Sequence, residues 1–131
     1  MDKVNWLDLL GWSDEQVDSI RFVAYSYIKQ GHYETASTLL EALIIMPTKN
    51  SYDLQTLGAI YLQQGKALKA LNFLDQALKL EPNHLPSLLN RAKALFLLGY
   101  KKQGTREVEV LQKCPDKTIA QEAEALLTSF S

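Results

Sequence analysis

The chain has 131 residues, 47% of them hydrophobic, and a formal net charge of -1 at pH 7. This length favours one domain with a continuous hydrophobic core, and the near-neutral charge argues against nucleic acid or an anionic membrane surface as a partner. Apolar runs are shorter than the roughly 18 residues of a membrane-spanning helix, the first residues lack a secretory signal pattern, and Cys114 is the single cysteine. We therefore expect a cytoplasmic protein without an intramolecular disulfide, membrane insertion or a nucleic-acid partner.

Residues 1–16 are predicted to form an N-terminal arm ahead of the first long helix. The large apolar residues of this arm are Val4, Trp6, Leu7, Leu10 and Trp12. They either cover an open apolar end of the helical stack or contact a second copy of the chain or another partner, since Trp is enriched at interaction hot spots. Ser13 followed by Gln16 predicts a capping box that starts the first long helix.

An internal repeat is marked by three glycines spaced 34 residues apart, Gly31, Gly65 and Gly99. The three copies span residues 17–50, 51–84 and 85–117. Within each copy, apolar residues recur three and four positions apart, which is the spacing of one face of an α-helix. Each glycine is expected at a helix C-terminus, where a left-handed backbone lets the chain turn back. Each copy is therefore predicted to be a helical hairpin.

Each copy also has small residues at its eighth and twentieth positions and a proline near its end. These residues are Ala24, Gly58 and Ala92, then Ala36, Ala70 and Gly104, and finally Pro47, Pro82 and Pro115. We expect the small residues where the two helices of a hairpin cross closely, and the proline where the second helix ends. A fixed period of this kind is typical of stacked repeats that share one continuous core.

Residues 118–131 are predicted to form a C-terminal capping helix. Its apolar face consists of Ile119, Ala123, Leu126, Leu127 and Phe130. A repeat stack needs a terminal helix with one apolar and one polar face, so that the last repeat is covered and remains solvated.

The period and the small, glycine and proline positions resemble the tetratricopeptide repeat, most closely in the second copy with Gly58, Tyr61, Gly65 and Pro82. The resemblance implies an all-α fold: an α-α superhelix of three repeats in a single domain over residues 1–131, with the N-terminal arm and the capping helix at its ends. It also implies a protein-binding module that uses no cofactor, metal or nucleotide.

In the tetratricopeptide family, the first helix of each copy lines a concave wall that faces the partner. The matching positions are Asp18, Arg21, Tyr25, Ile28 and Lys29, then Tyr52, Gln55, Ala59, Leu62 and Gln63, and finally Pro86, Leu89, Lys93, Phe96 and Leu97. Because a continuous apolar patch is seldom left exposed on a monomer without a use, we expect these residues to bind a partner. The alternative is that the end helices cover part of the wall.

Some tetratricopeptide proteins grip the C-terminal carboxylate of heat-shock chaperones with a clamp of Lys, Asn and Arg side chains. The clamp positions here hold Arg21, Tyr25, Thr56, Pro86 and Asn90, of which only Arg21 supplies a cation. The clamp is therefore predicted to be absent, and a co-chaperone of that type is not expected.

Two stretches are similar to chaperones of bacterial type III secretion systems that hold translocator or needle-type subunits. They are Ala24 to Ala36, and Leu57 to Ala59 followed by Tyr61. This resemblance implies a cytoplasmic chaperone in protein transport and virulence. Its client would be an aggregation-prone secreted or secretion-apparatus subunit, bound as a peptide or an amphipathic helix. A homodimer or a small co-chaperone remains open. The alternative function is a structural adaptor in a lasting protein complex.

No catalytic site is expected, and the chain is predicted not to be an enzyme. The pair formed by Gly65 and Lys66 lacks the remainder of a phosphate-binding loop. The two histidines, His32 and His84, lie in separate predicted turns without acidic or cysteine partners at metal-ligand spacing. Cys114 is expected to be a structural thiol at a helix end.

The third copy departs most from the repeat pattern. It has Arg91, Lys101 and Gly104 where the pattern favours apolar, aromatic and alanine residues. Lys101, Lys102 and Arg106 form a small basic cluster, which is expected to be a solvated face, with contact to an acidic partner as the alternative.

Overall fold

The computed structural model describes residues 13–47 and 49–130. The α-helices in these ranges are α1 (Asp14–Lys29), α2 (Tyr33–Ile45), α3 (Ser51–Gln63), α4 (Ala67–Leu80), α5 (Leu85–Leu97), α6 (Lys101–Leu111) and α7 (Lys117–Phe130). They confirm the all-α prediction, since no strand occurs in either range. None of these helices is long and apolar enough to cross a membrane. The predictions for Trp6, Leu10 and Trp12 lie outside the described residues.

The first helix begins with the capping box that the sequence predicts. The Gln16 backbone N–H donates to Ser13 Oγ at 3.2 Å, and the Ser13 backbone N–H donates to Gln16 Oε1 at 2.8 Å. Asp14 and Glu15 occupy the first turn, where the positive end of the helix dipole favours carboxylates. Local side-chain chemistry therefore sets the start of the first repeat.

The three repeat glycines adopt the predicted left-handed conformation, with φ angles of 79°, 76° and 88°. In the first copy, the Gly31 N–H donates to the Ile28 carbonyl at 3.0 Å and the His32 N–H to the Tyr27 carbonyl at 2.9 Å. The other two copies repeat this pair of bonds, which defines a Schellman motif. A Cβ atom at these glycines would meet nothing within 4 Å, so backbone conformation alone requires glycine here.

The small positions of each copy lie at close contacts between paired helices, as predicted. Ala24, Ala36, Ala70 and Ala92 are fully buried. A Cβ atom on Gly58 would lie 2.7 Å from Leu74 Cγ, which leaves no room for a side chain between α3 and α4.

The hydrophobic core consists of two clusters. The first joins the helices of the first two copies around residues such as Leu40, Leu57 and Leu74. The second joins α5, α6 and α7, with Ala92, Phe96, Val108, Leu111 and Ala123 at its centre. The partly buried members from α7 are Ile119, Leu126, Leu127 and Phe130. The predicted apolar face of the capping helix is thus confirmed.

Two departures of the third copy from the repeat pattern have a structural cause. The Arg91 guanidinium donates to Asp75 at 2.7 Å and also pairs with Glu107, so it connects α5 to both α4 and α6. A Cβ atom on Gly104 would lie 3.0 Å from the Phe96 ring. Glycine at this position therefore makes room for the aromatic ring that anchors the second cluster.

Candidate partner-binding wall

The predicted wall is formed by one face of α1, α3 and α5, and its residues differ widely in exposure. Asp18, Lys29, Tyr52, Gln63, Lys93 and Leu97 are exposed, while Arg21, Tyr25, Ile28, Gln55, Ala59, Pro86 and Leu89 are half-buried. Leu62 and Phe96 are each only 7% exposed. We call this set of residues, without the buried Leu62 and Phe96, the wall.

The structure places Leu62 and Phe96 in the core instead of on an open surface. Leu62 belongs to the first cluster, which also contains Ala94 of α5. The Phe96 ring stacks on Phe130 of the capping helix, with centroids 5.1 Å apart and planes 9° from parallel. The capping helix α7 therefore covers Phe96, as the alternative in which end helices cover part of the wall anticipates, whereas Leu62 is buried within the first cluster.

A fully buried carboxylate, that of Asp53 in α3, lies directly behind the wall. Arg21 Nε donates to both of its oxygens, at 3.1 and 2.9 Å, and Arg21 Nη2 lies 2.9 Å from Oδ2. The Tyr25 hydroxyl donates to Asp53 Oδ1 at 3.0 Å and lies 3.1 Å from the Thr56 hydroxyl. We call these four side chains the Asp53 network; it ties α1 of the first copy to α3 of the second.

The Asp53 network occupies three positions at which related proteins place their carboxylate clamp. Arg21, Tyr25 and Thr56 all converge on a carboxylate that belongs to the chain itself. The Arg21 charge is also shared with Asp18 Oδ1, 2.6 Å from Nη1. The positive charge of Arg21 is therefore neutralised by carboxylates of the chain itself.

Sequence reasoning missed Asp53 because its position gave a simpler explanation. It lies in the first turn of α3, where its backbone N–H donates to the Asn50 side chain at 2.8 Å, and acidic residues are common at helix starts. The available signal was the pairing of an arginine on the face of α1 with an acidic residue on the same side of α3, 32 residues later.

The aromatic part of the wall consists of Tyr25 and Tyr52, whose ring centroids are 5.6 Å apart. Burial, together with the neighbouring Asp53 carboxylate, raises the pKa of Tyr25 well above its ordinary value, although the Thr56 hydroxyl partly opposes this. The Tyr25 hydroxyl therefore remains a hydrogen-bond donor at neutral pH. Its role is to position the ring, while Tyr52 presents an exposed aromatic face.

The open part of the wall combines aromatic, amide and cationic groups. Tyr52 and Gln55 lie on α3, and Lys29 and Lys93 lie on the flanking helices. This chemistry suits a protein segment with apolar and polar side chains. Within residues 13–47 and 49–130, no group of three or more His, Cys, Asp or Glu side chains is placed to hold a metal ion.

Comparison with known proteins gives one family and several similar structures. The family model described as "Anaphase-promoting complex, cyclosome, subunit 3" matches residues 29–110. No curated protein matches the chain by sequence. The fold is similar to that of the type III secretion translocator chaperone SycD from Yersinia enterocolitica, with a TM-score of 0.80 and 17% identity over 94% of this chain and 96% of that one.

Two further structures have the same fold and contain a bound segment. PcrH from Pseudomonas aeruginosa, in complex with the chaperone binding region of PopD, has a TM-score of 0.77 and 17% identity over 90% of this chain and 92% of that one. The second TPR domain of human RPAP3, in complex with an HSP70 peptide, has a TM-score of 0.74 and 21% identity over 86% and 96%. With sequence identities of 17% and 21%, the structural similarity establishes the tetratricopeptide fold and nothing further.

Proposed function

We propose a chaperone function for this chain, which belongs to the tetratricopeptide-repeat family described as "Anaphase-promoting complex, cyclosome, subunit 3". In this proposal, the wall holds a segment of an aggregation-prone subunit of a type III secretion system in the cytoplasm before its export. Family membership supplies the repeat architecture, and the choice of client class rests on the similarity to SycD and PcrH.

The observation that carries the proposal is the exposed Tyr52 ring on the wall, which is in contact with the Tyr25 ring. Tyrosine buries a large area at low entropic cost and is enriched among the residues that dominate binding energy. The Asp53 network fixes Tyr25 from behind, so the aromatic pair is ordered before a client arrives. Such preorganisation lowers the entropic cost of binding.

A client segment would lie along the wall as an extended strand or an amphipathic helix, the two common modes for such surfaces. PcrH and PopD are another pair of proteins, and PcrH shares this fold over most of its length. That similarity supports a peptide-like client segment here.

The test compares two tyrosines of equal exposure on different surfaces. Tyr52 and Tyr100 are both 54% exposed, but Tyr52 lies on the wall and Tyr100 lies in the turn between α5 and α6. The secretion subunits of the source organism would be co-expressed one at a time with each variant. Tyr52→Glu is expected to weaken client binding by about tenfold or more, and Tyr100→Glu is expected to leave it unchanged.

Circular dichroism provides the folding control, because both substitutions are at exposed sites and should preserve the helical spectrum. Full retention of the client by Tyr52→Glu, or equal loss in both variants, would overturn the proposal. A client that remains in the assembled apparatus together with the chain would instead favour the adaptor function.

A further inference from the structure

A second apolar surface lies at the edge of the superhelix, between the start of α4 and the end of α5. It is a cleft of about 890 Å³, within the size range of protein binding pockets. The cleft is lined by Gly65, Lys66, Ala67, Leu68, Lys69, Leu71, Asn72, Asp75, Leu97 and Leu98. Leu97 also belongs to the wall, and Leu98 follows it at the end of α5. The remaining lining residues come from α4 and from the turn before it.

Two leucines of this cleft are unusually open to solvent. Leu68 is 71% exposed and Leu97 is 47% exposed. Both line the cleft together with the half-buried Leu71 and Leu98, so four leucines contribute to its surface. An apolar concavity of this kind is typical of a docking site.

The repeats themselves show that the fold does not require leucine at these positions. The residue of the first copy aligned with Leu68 is Glu34, and the residue of the second copy aligned with Leu97 is Gln63. The junction between the first and second copies therefore has polar groups at the positions where the next junction has leucines. Because both junctions have the same helical architecture, stacking does not explain Leu68 and Leu97.

The rim of the cleft is cationic. Lys66 and Lys69 both line the cleft. Their ammonium groups also lie 5.7 and 4.5 Å from the centroid of the Tyr61 ring on the neighbouring α3. Lys69 has only a long 3.9 Å contact with Glu41, and among the described residues no carboxylate lies within 4.0 Å of Lys66.

The cleft's one lining carboxylate does not cancel these charges. Asp75 Oδ1 accepts from Arg91 Nε at 2.7 Å, and Arg91 also pairs with Glu107, so the charge of Asp75 is offset in part. Among the described lining residues, Lys66 and Lys69 outnumber this carboxylate. The rim therefore presents net positive charge to a ligand, in contrast to the start of α1, where Asp14 and Glu15 are exposed.

We propose that this cleft is a second docking site, for a protein segment in which leucine-type side chains alternate with Asp or Glu. The apolar side chains of the segment fill the space between Leu68 and Leu97, and its carboxylates face Lys66 and Lys69. Burial of apolar area supplies most of the affinity, and the lysines set the sign of the charge that is accepted.

The experiment selects ligands from a displayed library of random peptides, using the full chain as bait. The expected result is enrichment of acidic peptides with apolar residues, of which one is synthesised with a fluorophore and titrated. Leu68→Glu, which introduces the residue present in the first copy, should weaken its binding by about tenfold or more. Lys66→Glu should also weaken binding, and added salt should reduce the affinity.

Two controls separate this site from the wall and from nonspecific charge effects. Val110→Glu alters another exposed apolar residue, 68% exposed on α6, and should leave peptide affinity unchanged. Tyr52→Glu should also leave it unchanged. The proposal would be overturned if basic peptides were enriched. It would also be overturned if Leu68→Glu weakened the binding of none of the enriched peptides. Peptides whose binding is weakened by Tyr52→Glu but not by Leu68→Glu would likewise overturn it. That result would leave the proposed function of the wall intact.

Discussion

Replacement of Asp53 by alanine tests whether the Asp53 network connects the first two repeats. The substitution removes a fully buried carboxylate and leaves Arg21 without the partner that accepts from its Nε and Nη2 atoms. It also removes one of the two acceptors near the Tyr25 hydroxyl, and the Thr56 hydroxyl remains. Breaking a buried ion pair typically destabilises a protein by about 3–5 kcal/mol.

The expected cost lies at the lower end of that range. The Arg21 side chain is 22% exposed and retains Asp18 as a partner, so part of its hydration and pairing survives. A loss of about 3 kcal/mol, divided by roughly 2.1 cal/mol/K of unfolding entropy per residue over 131 residues, lowers the Tm by about 11 °C.

Thermal unfolding followed by circular dichroism measures this shift, and Asp18→Ala is the matched control. Asp18 pairs with the same arginine at 2.6 Å, but its side chain is 73% exposed. Exposed pairs contribute less than about 1 kcal/mol, which corresponds to a Tm loss below about 4 °C. Equal shifts for the two variants would refute the claim that burial gives Asp53 its structural role.

Three further substitutions test the packing, the turns and the pH dependence. Gly58→Ala should lower the Tm, because the added Cβ atom would lie 2.7 Å from Leu74 Cγ. Such overpacking costs about 1–3 kcal/mol, which offsets or exceeds the roughly 1 kcal/mol that alanine gains in helix propensity. A higher Tm would show that α3 and α4 separate easily. Gly65→Ala should destabilise the chain by about 1–2 kcal/mol through its left-handed backbone alone, as measured by urea unfolding, and an unchanged midpoint would contradict the turn assignment. Burial and the hydrogen bond to Glu41 raise the pKa of Tyr61 from 10.0 to about 12, so its contribution to stability is complete below pH 10 and is lost as the pH rises towards 12. Tyr61→Phe should therefore reduce the alkaline loss of stability in urea titrations, and an identical pH profile would contradict this origin.

The repeat architecture was predictable because its signals are local. The capping box at Ser13 and the left-handed turn at each repeat glycine depend on residues that are neighbours in the chain. The apolar face of α7 follows from helical periodicity in the same way. These features appear in the structure as predicted.

The candidate site was less predictable because exposure depends on which helix packs next. Leu62 and Phe96 occupy wall positions by alignment, yet neighbouring helices bury both of them. Asp53 gains its role from Arg21, which is distant in sequence and adjacent only after the repeats stack. The exposed pair Leu68 and Leu97 likewise becomes one surface only when α4 and α5 come together.

Site-specific photo-crosslinking tests the central claim, that the wall binds a protein segment, most directly. A photoreactive phenylalanine derivative would replace Tyr52 in one sample and Tyr100 in another, each co-expressed with the secretion subunits. The account predicts a covalent adduct with a client from position 52 and none from position 100, because only Tyr52 lies on the wall. An adduct from position 100 alone would contradict it. So would the absence of an adduct at both positions while the client still co-purifies with the chain.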